Sequence, residues 1–432
     1  MAEFNESTRR GQFSPSERAS WLRASDDLAD MAAFWGGDDK VLVAPRGVNR
    51  AWLADVSDQM ACRIQAIEPN NVSGRLLQDL LGDPIALKQL AALLPEGATV
   101  EAWGVTAAVL ELVAALRALG TRAEIDAPAR GNLWSVGYLD SKLALSDIAG
   151  WIPELRVPRS YTALTFDHLL GLVAAMCGER APFVVKSNVG VGGFGTFLAP
   201  APSGYSTVLR DLGAAMDGEP VFREGPFLVQ EYVESAPTTL RPTYDGVVND
   251  MGEVEDVGTG GMLIDGAEYR GVVVGEVELP HSALEEARRV GRAVGRAASA
   301  LGFRGWFDVD FVLSDEGELF ATEINARRTS PVHAFAALSR WREDDPRIRC
   351  VFADDHVPVS TAGLDWNDVV PAFDSTRRLG VRCAATIVRS LAAEHPAVGL
   401  MVGAASYEEA RAGRDELAER LGGRLATSVN TR

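Results

Sequence analysis

The chain has 432 residues, enough for roughly two to four domains of ordinary size. Apolar residues make up 47% and charged residues 24%, a balance that excludes a largely disordered chain. Lys plus Arg number 42 against 60 Asp plus Glu, a formal charge of −18. Such a polyanion is a poor partner for nucleic acid or an anionic membrane face, although local basic pockets for phosphate are still allowed.

The opening stretch MAEFNESTRR has no apolar h-region, so no signal peptide is expected. Residues 1–40 predict a polar arm and a helix around Ala19 to Trp35. Strands are expected at Lys40 to Pro45, Thr99 to Val105 and Thr121 to Ile125. Between the last two, Val109, Leu112, Val113, Leu116 and Leu119 recur at helical spacing until Gly120. Alternating strand and helix imply a parallel α/β layer over residues 41–130. A helix is expected from Ser141 to Ile148, with a boundary at Gly150 and Pro153. Pro182 to Lys186 and Phe227 to Val233 read as strands. From Thr239 to Gly275, β-branched runs separated by Asp245-Gly246, Gly260-Gly261 and Asp265-Gly266 turns predict antiparallel sheet. Ser282 and Glu285 form a capping-box pattern for a helix burying Ala287, Val290, Val294, Ala298 and Leu301. Two strands follow, Asp308 to Leu313 and Glu318 to Ile324, then a charged connection at Trp341 to Pro346. Strands at Ala384 to Leu391 and Val398 to Ala405, and a helix capped by Ser406, predict a small C-terminal α/β domain. Four scattered cysteines lack a CxxC pair and read as reduced thiols of a cytoplasmic protein. No apolar run approaches the ~20 residues of a membrane helix.

Three segments carry chemistry. In the first, Lys186 ends a strand and the next ten residues hold Gly190, Gly192, Gly193 and Gly195. Glycines let backbone N–H groups approach phosphate oxygens because no Cβ intervenes. The lysine precedes the glycines, which excludes a Walker loop. The second is Asp310 within an apolar strand, followed by Glu323, Asn325 and Arg327. Strand side chains alternate with period 2, so these three share a face, and a hairpin would set Asp310 beside them. Two carboxylates and an amide oxygen are hard ligands suited to Mg²⁺. The bland alternative is a set of solvated strand carboxylates, which the apolar flanks disfavour. The third segment, Leu228 to Val233, is by itself only an apolar strand with polar residues at its end.

In this order the segments resemble the ATP-grasp superfamily, over roughly residues 130–340. Lys142 lies 186 − 142 = 44 positions before Lys186, about the separation of that superfamily's two phosphate-binding lysines. The flanking regions extend the resemblance to peptide ligases of the pheganomycin type. This implies a pre-ATP-grasp parallel α/β domain over 1–130, a two-lobed α+β ATP-grasp core over 131–340 and a C-terminal α/β domain over 341–432. It implies ATP and Mg²⁺ as cofactors, with Lys142, Lys186, Ser187 and the four loop glycines on the nucleotide. Gln230 and Glu231 would meet the adenine amino group, with a backbone contact from Val233. Asp310, Glu323 and Asn325 would hold the metal.

The expected reaction joins a carboxylate to an amine through an acyl phosphate, releasing ADP and phosphate. Lys186 and Arg327 are the expected catalytic groups, Arg327 at the developing carbonyl oxyanion. Arg304, Arg328, Ser330 and His333 are candidates for holding the substrate carboxylate. Expected partners are a small carboxylate and an amine or peptide acceptor, with a homodimer as a candidate assembly. Loading of a carrier-protein thiol and a non-catalytic ATP-binding module are the alternatives. A biotin-dependent carboxylase shares the core, but no biotin-attachment segment is visible. A dinucleotide-binding oxidoreductase is disfavoured by the missing GxGxxG after the first strand. No nucleic-acid or membrane partner is expected.

Overall fold

The computed structural model describes residues 1, 3–4, 6, 13–190, 193–200, 204–222, 225–235, 240–266, 268–361 and 363–422. Near the N-terminus, β1 (Asp39–Val43) and β2 (Arg63–Ile67) pair in parallel. A four-stranded antiparallel sheet has the order β3-β6-β4-β5, from β3 (Ser160–Ala163), β4 (Phe183–Ser187), β5 (Thr196–Ala199) and β6 (Phe227–Glu231). The remaining strands are β7 (Leu240–Val248), β8 (Val254–Asp265), β9 (Glu268–Gly275), β10 (Gly305–Leu313), β11 (Leu319–Asn325), β12 (Cys350–Pro358), β13 (Arg382–Ile387) and β14 (Ala397–Ala404). They form one eight-stranded sheet in the order β11-β10-β7-β8-β9-β12-β14-β13, antiparallel throughout.

The N-terminal layer is parallel as expected, but its strands differ. Thr99 and Glu124 meet in a single parallel bridge rather than in two full strands. The strand Arg63–Ile67 was not expected from its mixed composition. The helix Ala107–Ala118 buries Val109, Leu112, Val113 and Leu116, the positions its periodicity selects.

The antiparallel reading of Thr239 to Gly275 corresponds to β7, β8 and β9, but two of its three turns are interior strand positions. Asp245-Gly246 lies within β7 and Gly260-Gly261 within β8. A Cβ at Gly260 would stand 2.9 Å from the Val273 carbonyl oxygen, so this glycine serves close strand approach rather than chain reversal. Gly266, at φ +63°, does turn the chain. The expected capping box at Ser282 is absent. The helix His281–Ala300 starts after Pro280 without a side-chain cap, so Ser282 lies inside it, and Glu285 instead pairs with Arg288 at 2.7 Å.

The charged stretch from Trp341 is helical. Trp341 is fully buried in the helix Pro331–Asp344 and donates its indole N–H to the Gln59 carbonyl at 3.1 Å. Strands β12, β14 and β13 then continue the sheet outward from β9. Residues 350–404 therefore share one sheet with the strands that precede residue 340.

Two glycines seat the helix His281–Ala300 on the sheet. A Cβ at Gly291 would lie 2.1 Å from Tyr244 Cδ1, and one at Gly295 would lie 2.6 Å from Phe307 Cζ. Gly291→Ala should therefore destabilise the protein by about 1–3 kcal/mol through overpacking, although alanine is the better helix former. Gly171→Ala lies on an exposed face of the helix Phe166–Glu179, with no atom within 4 Å of the new Cβ. It should stabilise by about 0.5–1 kcal/mol. Urea unfolding midpoints of the two variants check this pair of opposite signs.

Candidate active site

Strand register assembles the acidic face. In the antiparallel β10–β11 pair, Asp310 stands opposite Glu323 and Asp308 opposite Asn325. Directly opposed residues share a face. Strand β7 adds Asp245 opposite Asp308 and Thr243 opposite Asp310. The ladder then steps from Asp310↔Glu323 to Phe311↔Ala321, leaving Thr322 as a bulge. That bulge has a use. The Thr322 carbonyl accepts from Lys186 Nζ at 3.2 Å, and its hydroxyl donates to the Asp310 carbonyl at 3.2 Å.

The carboxylates are crowded and short of compensation. Asn325 Nδ2 donates to Asp308 at 2.7 Å and to Asp310 at 3.3 Å. Trp306 and Thr329 each donate to Asp245 Oδ1 at 3.3 Å. Asp245 Oδ2 and Asp310 Oδ1 are buried without a hydrogen-bond partner. Burial, then the neighbouring Asp245, pushes Asp308 well above the usual carboxylate range. Burial, then Asp308 and Glu323, does the same to Asp310. Asp245 is raised to about 8 by burial and by Asp310, against the pull of Trp306 and Thr329. Glu323 differs. Burial raises it too, but the charges of Lys142 and Lys186 outweigh that and hold it below its ordinary value.

Among the described residues, no three His, Cys, Asp or Glu side chains already converge as a closed metal cage. The open arrangement fits Mg²⁺, which keeps water and phosphate oxygens in its shell and takes only one or two carboxylates. The orphaned Asp310 oxygen is the observation that supports the fit.

The lysines come from two other segments. Lys142 begins the helix Lys142–Ala149, is 5% exposed and sits with Nζ 2.6 Å from Glu323 Oε1. Its backbone N–H donates to the Asn188 carbonyl at 3.0 Å, and Leu143 N–H donates to the Asn188 side chain at 3.3 Å. The loop after β4 thus ties the two lysines together across their 44-residue separation. Lys186 lies opposite Thr196 in the β4–β5 hairpin. Ser187, fully buried, donates its N–H to the Gly195 carbonyl at 2.7 Å and its hydroxyl to the Val189 carbonyl, closing the base of the loop. A Cβ at Gly190 would meet the Phe194 carbonyl oxygen at 2.1 Å, so the loop closes only with glycine there. Gly193 and Gly195 take φ values of +97° and +79°. Gly192 lies outside the described residues.

Gln230 is 3% exposed on β6 and donates to the Ser160 hydroxyl at 2.8 Å. The Glu231 carboxylate accepts Arg159 N–H at 2.9 Å. Val233 follows β6 outside any strand. Arg327 is 4% exposed. It donates Nη2 to Asn325 Oδ1 at 2.7 Å, places Nε 3.2 Å from Asp140 Oδ1 and stacks 5.6 Å from the Trp103 ring.

The four substrate candidates fall in three places, with only Ser330 and His333 together. Arg304 binds the Ser299, Phe303 and Asp250 carbonyls at the end of the helix His281–Ala300, away from the acidic face. Arg328 lies between Trp35 and Trp306 and reaches Glu101 and the Ala102 carbonyl, so it anchors the N-terminal layer. Ser330 precedes the helix Pro331–Asp344, and His333 is buried one turn on, 3.3 Å from Asp355. Sequence reasoning missed Asp245, hidden by the turn reading of Asp245-Gly246. It quoted Asp308 without a role, although Asp308 and Asp310 share one face at period 2. A cavity of about 690 Å³ opens between β1 and residues 98–104, but none of the phosphate or metal candidates lines it.

No protein-family model matches the chain. L-propargylglycine–L-glutamate ligase of Streptantibioticus cattleyicolor is 33% identical over 106 residues, which is 24% of this chain and 21% of that protein. N5-carboxyaminoimidazole synthase from Aspergillus clavatus, solved with ADP and 5-aminoimidazole ribonucleotide, superposes with a TM-score of 0.53 at 14% identity, over 89% of this chain and 99% of that one. Biotin carboxylase from Campylobacter jejuni, in a β-γ-ATP complex, superposes with a TM-score of 0.54 at 12% identity, over 93% of each chain. The architecture is the ATP-grasp fold.

Burial, then the nearby charge of Lys142, brings the Lys186 ammonium down to about 8. In the free protein it is charged below that pH and neutral above it. ADP affinity should therefore fall as the pH rises from about 7 to about 9.5. Lys186→Met should weaken ADP about tenfold at neutral pH and flatten the profile. A flat wild-type profile in calorimetric titrations would remove Lys186 from the phosphate site.

Proposed function

We propose that the chain is an ATP-dependent carboxylate–amine ligase, of the peptide-ligase kind found in natural-product pathways. The observation that carries this reading is the Lys142–Glu323 pair, opposite Asp310 in the strand register and within reach of the Lys186 charge. It presents two cations and a surplus of carboxylates where a nucleotide triphosphate and a divalent cation would meet. The resemblance of part of the chain to an amino-acid–glutamate ligase supports the ligase reading. The ATP-grasp fold and its nucleotide-bound neighbours support the cofactor.

When bound, MgATP supplies an activated γ-phosphoryl group for transfer to a carboxylate. Lys186 and Lys142 would neutralise its phosphate charge, and the glycine loop would cover it with backbone N–H groups. Asp310, Glu323 and Asn325 would hold the cation. The Lys142–Glu323 contact stands in for two contacts of that complex, the carboxylate toward the cation and the ammonium toward phosphate. Arg327 would keep fixed positive charge beside Asn325, where a carbonyl oxygen gains negative charge during attack by the amine. The acceptor must be in place before the acyl phosphate meets water. The short link Arg328 to Ser330, between the acidic face and the helix Pro331–Asp344, is where it would enter.

With MgATP, a carboxylate and an amine, the protein should release ADP and phosphate. Glu323→Gln should lower turnover by at least about 100-fold while leaving the circular dichroism spectrum unchanged. AMP and pyrophosphate as products, or activity within a few-fold of wild type in that variant, would refute the proposal.

A further inference from the structure

Two strand irregularities bring a second polar cluster to the edge of the acidic face. In the β8–β9 ladder the register passes from Leu263↔Gly271 to Ile264↔Tyr269, so Arg270 is an extra residue. In the β12–β14 ladder, Asp354↔Leu400 gives way to Val357↔Val398, so one residue is extra there as well. Such bulges re-aim side chains. At them Tyr269 lies beside Ser330, and Asp355 beside His333, at the start of the helix Pro331–Asp344.

The buried polar atoms of Tyr269, His333 and Asp355 lack aligned hydrogen-bond partners. His333 is 0% exposed, and neither ring nitrogen has a hydrogen-bond partner, although Nε2 is 3.3 Å from Asp355 Oδ1. Both Asp355 carboxylate oxygens lack one. The Tyr269 hydroxyl has Ser330 for a neighbour, but no aligned hydrogen bond forms. The charges of Asp355, Asp310 and Asp245 all act on that hydroxyl, so the cluster adjoins the candidate metal face. Among the described residues, no lysine or arginine is ion-paired with Asp355 or Asp245. Buried polar groups of native proteins find partners. What is missing here is a positively charged donor, and an ammonium group brings three N–H donors with its charge.

We propose that His333, Asp355 and Tyr269 form a subsite for the protonated amino group of the carboxylate substrate. The substrate class is then a free α-amino acid, or a peptide with a free N-terminus. This rests on the ligase reading above. The ammonium would sit on Asp355, with a ring nitrogen of His333 and the Tyr269 oxygen as further acceptors, and the carboxylate would extend toward Asp310.

The test traps the activated acyl group with hydroxylamine in the presence of MgATP. Hydroxylamine nitrogen bonds to the acyl carbon as the carbon–oxygen bond to phosphate breaks, giving a hydroxamate and free phosphate. Free L-amino acids should react with kcat/KM at least about 100-fold above their N-acetyl forms. Asp355→Asn should reduce that preference to below about tenfold, through the donor KM, with ADP affinity retained. Tyr269→Phe keeps the ring packing and should reduce the preference in the same direction, which covers the case of an Asp355 variant that does not fold. N-acetyl donors used as well as free ones would overturn the subsite and leave the ligase reading standing. Hydroxamate from neither set, with MgADP still bound, would overturn the ligase reading and the subsite with it.

Discussion

A guanidinium removed from water must find charge and hydrogen-bond partners, and Arg327 draws its own from two distant segments and from the strand end just before it. Asp140 comes from the approach to the Lys142 helix, Asn325 from the end of β11 and Trp103 from the N-terminal layer. Asp140 also accepts the Ala326 N–H at 3.1 Å, which closes a small ring of contacts around the end of β11. Lys142, two residues beyond Asp140, is thereby delivered to Glu323, two residues before Asn325. The position of the first lysine against the acidic strand thus depends on the neutralisation of one buried arginine.

The acidic face carries the opposite imbalance. Asp245, Asp308 and Asp310 are buried together on adjacent strands, and desolvation and mutual repulsion both oppose their ionisation. A fold seeking stability alone would place apolar groups there. The unfavourable electrostatics are held in place by the apolar packing beneath, where Tyr244, Phe307 and Val309 alternate with the acids and bury against the helix His281–Ala300. A cation bound there would relieve the repulsion, and ligand binding and local stability would then be linked.

The remote ends of the chain brace this arrangement. Trp52 donates to the Ala385 carbonyl at 2.8 Å, Arg377 makes two bonds to Asp55 at 2.6 and 2.7 Å, and Asp30 accepts from Val388, Arg389 N–H and the Arg389 side chain. These contacts join the first sixty or so residues to the outer strands of the eight-stranded sheet. They run through a continuous core containing Trp52, Val351, Phe373 and Leu400. The N-terminal layer, the acidic strands and the C-terminal strands are packed as one sequence of neighbours.

Features with a local period were legible in the sequence. The buried faces of the helices Ala107–Ala118 and His281–Ala300 follow from 3.6-residue spacing. The opposition of Asp310 and Glu323 follows from period-2 strands joined by a short turn. Lys186 at the mouth of a glycine loop was legible for the same reason, since the glycines of that loop lie within ten residues of it. The rest depended on register between distant segments. Asp245 faces Asp308 at a separation of 308 − 245 = 63 positions, and no local pattern marks it. Arg304 and Arg328 look alike in sequence, yet one closes a helix end and the other is stacked between tryptophans. Tyr269 approaches Ser330, and Asp355 approaches His333, next to single extra residues in their strands. A one-residue bulge reverses the face of everything beyond it. Composition and periodicity are properties of neighbours along the chain, whereas a bulge is decided by the strand across from it, so only the tertiary structure could place these side chains.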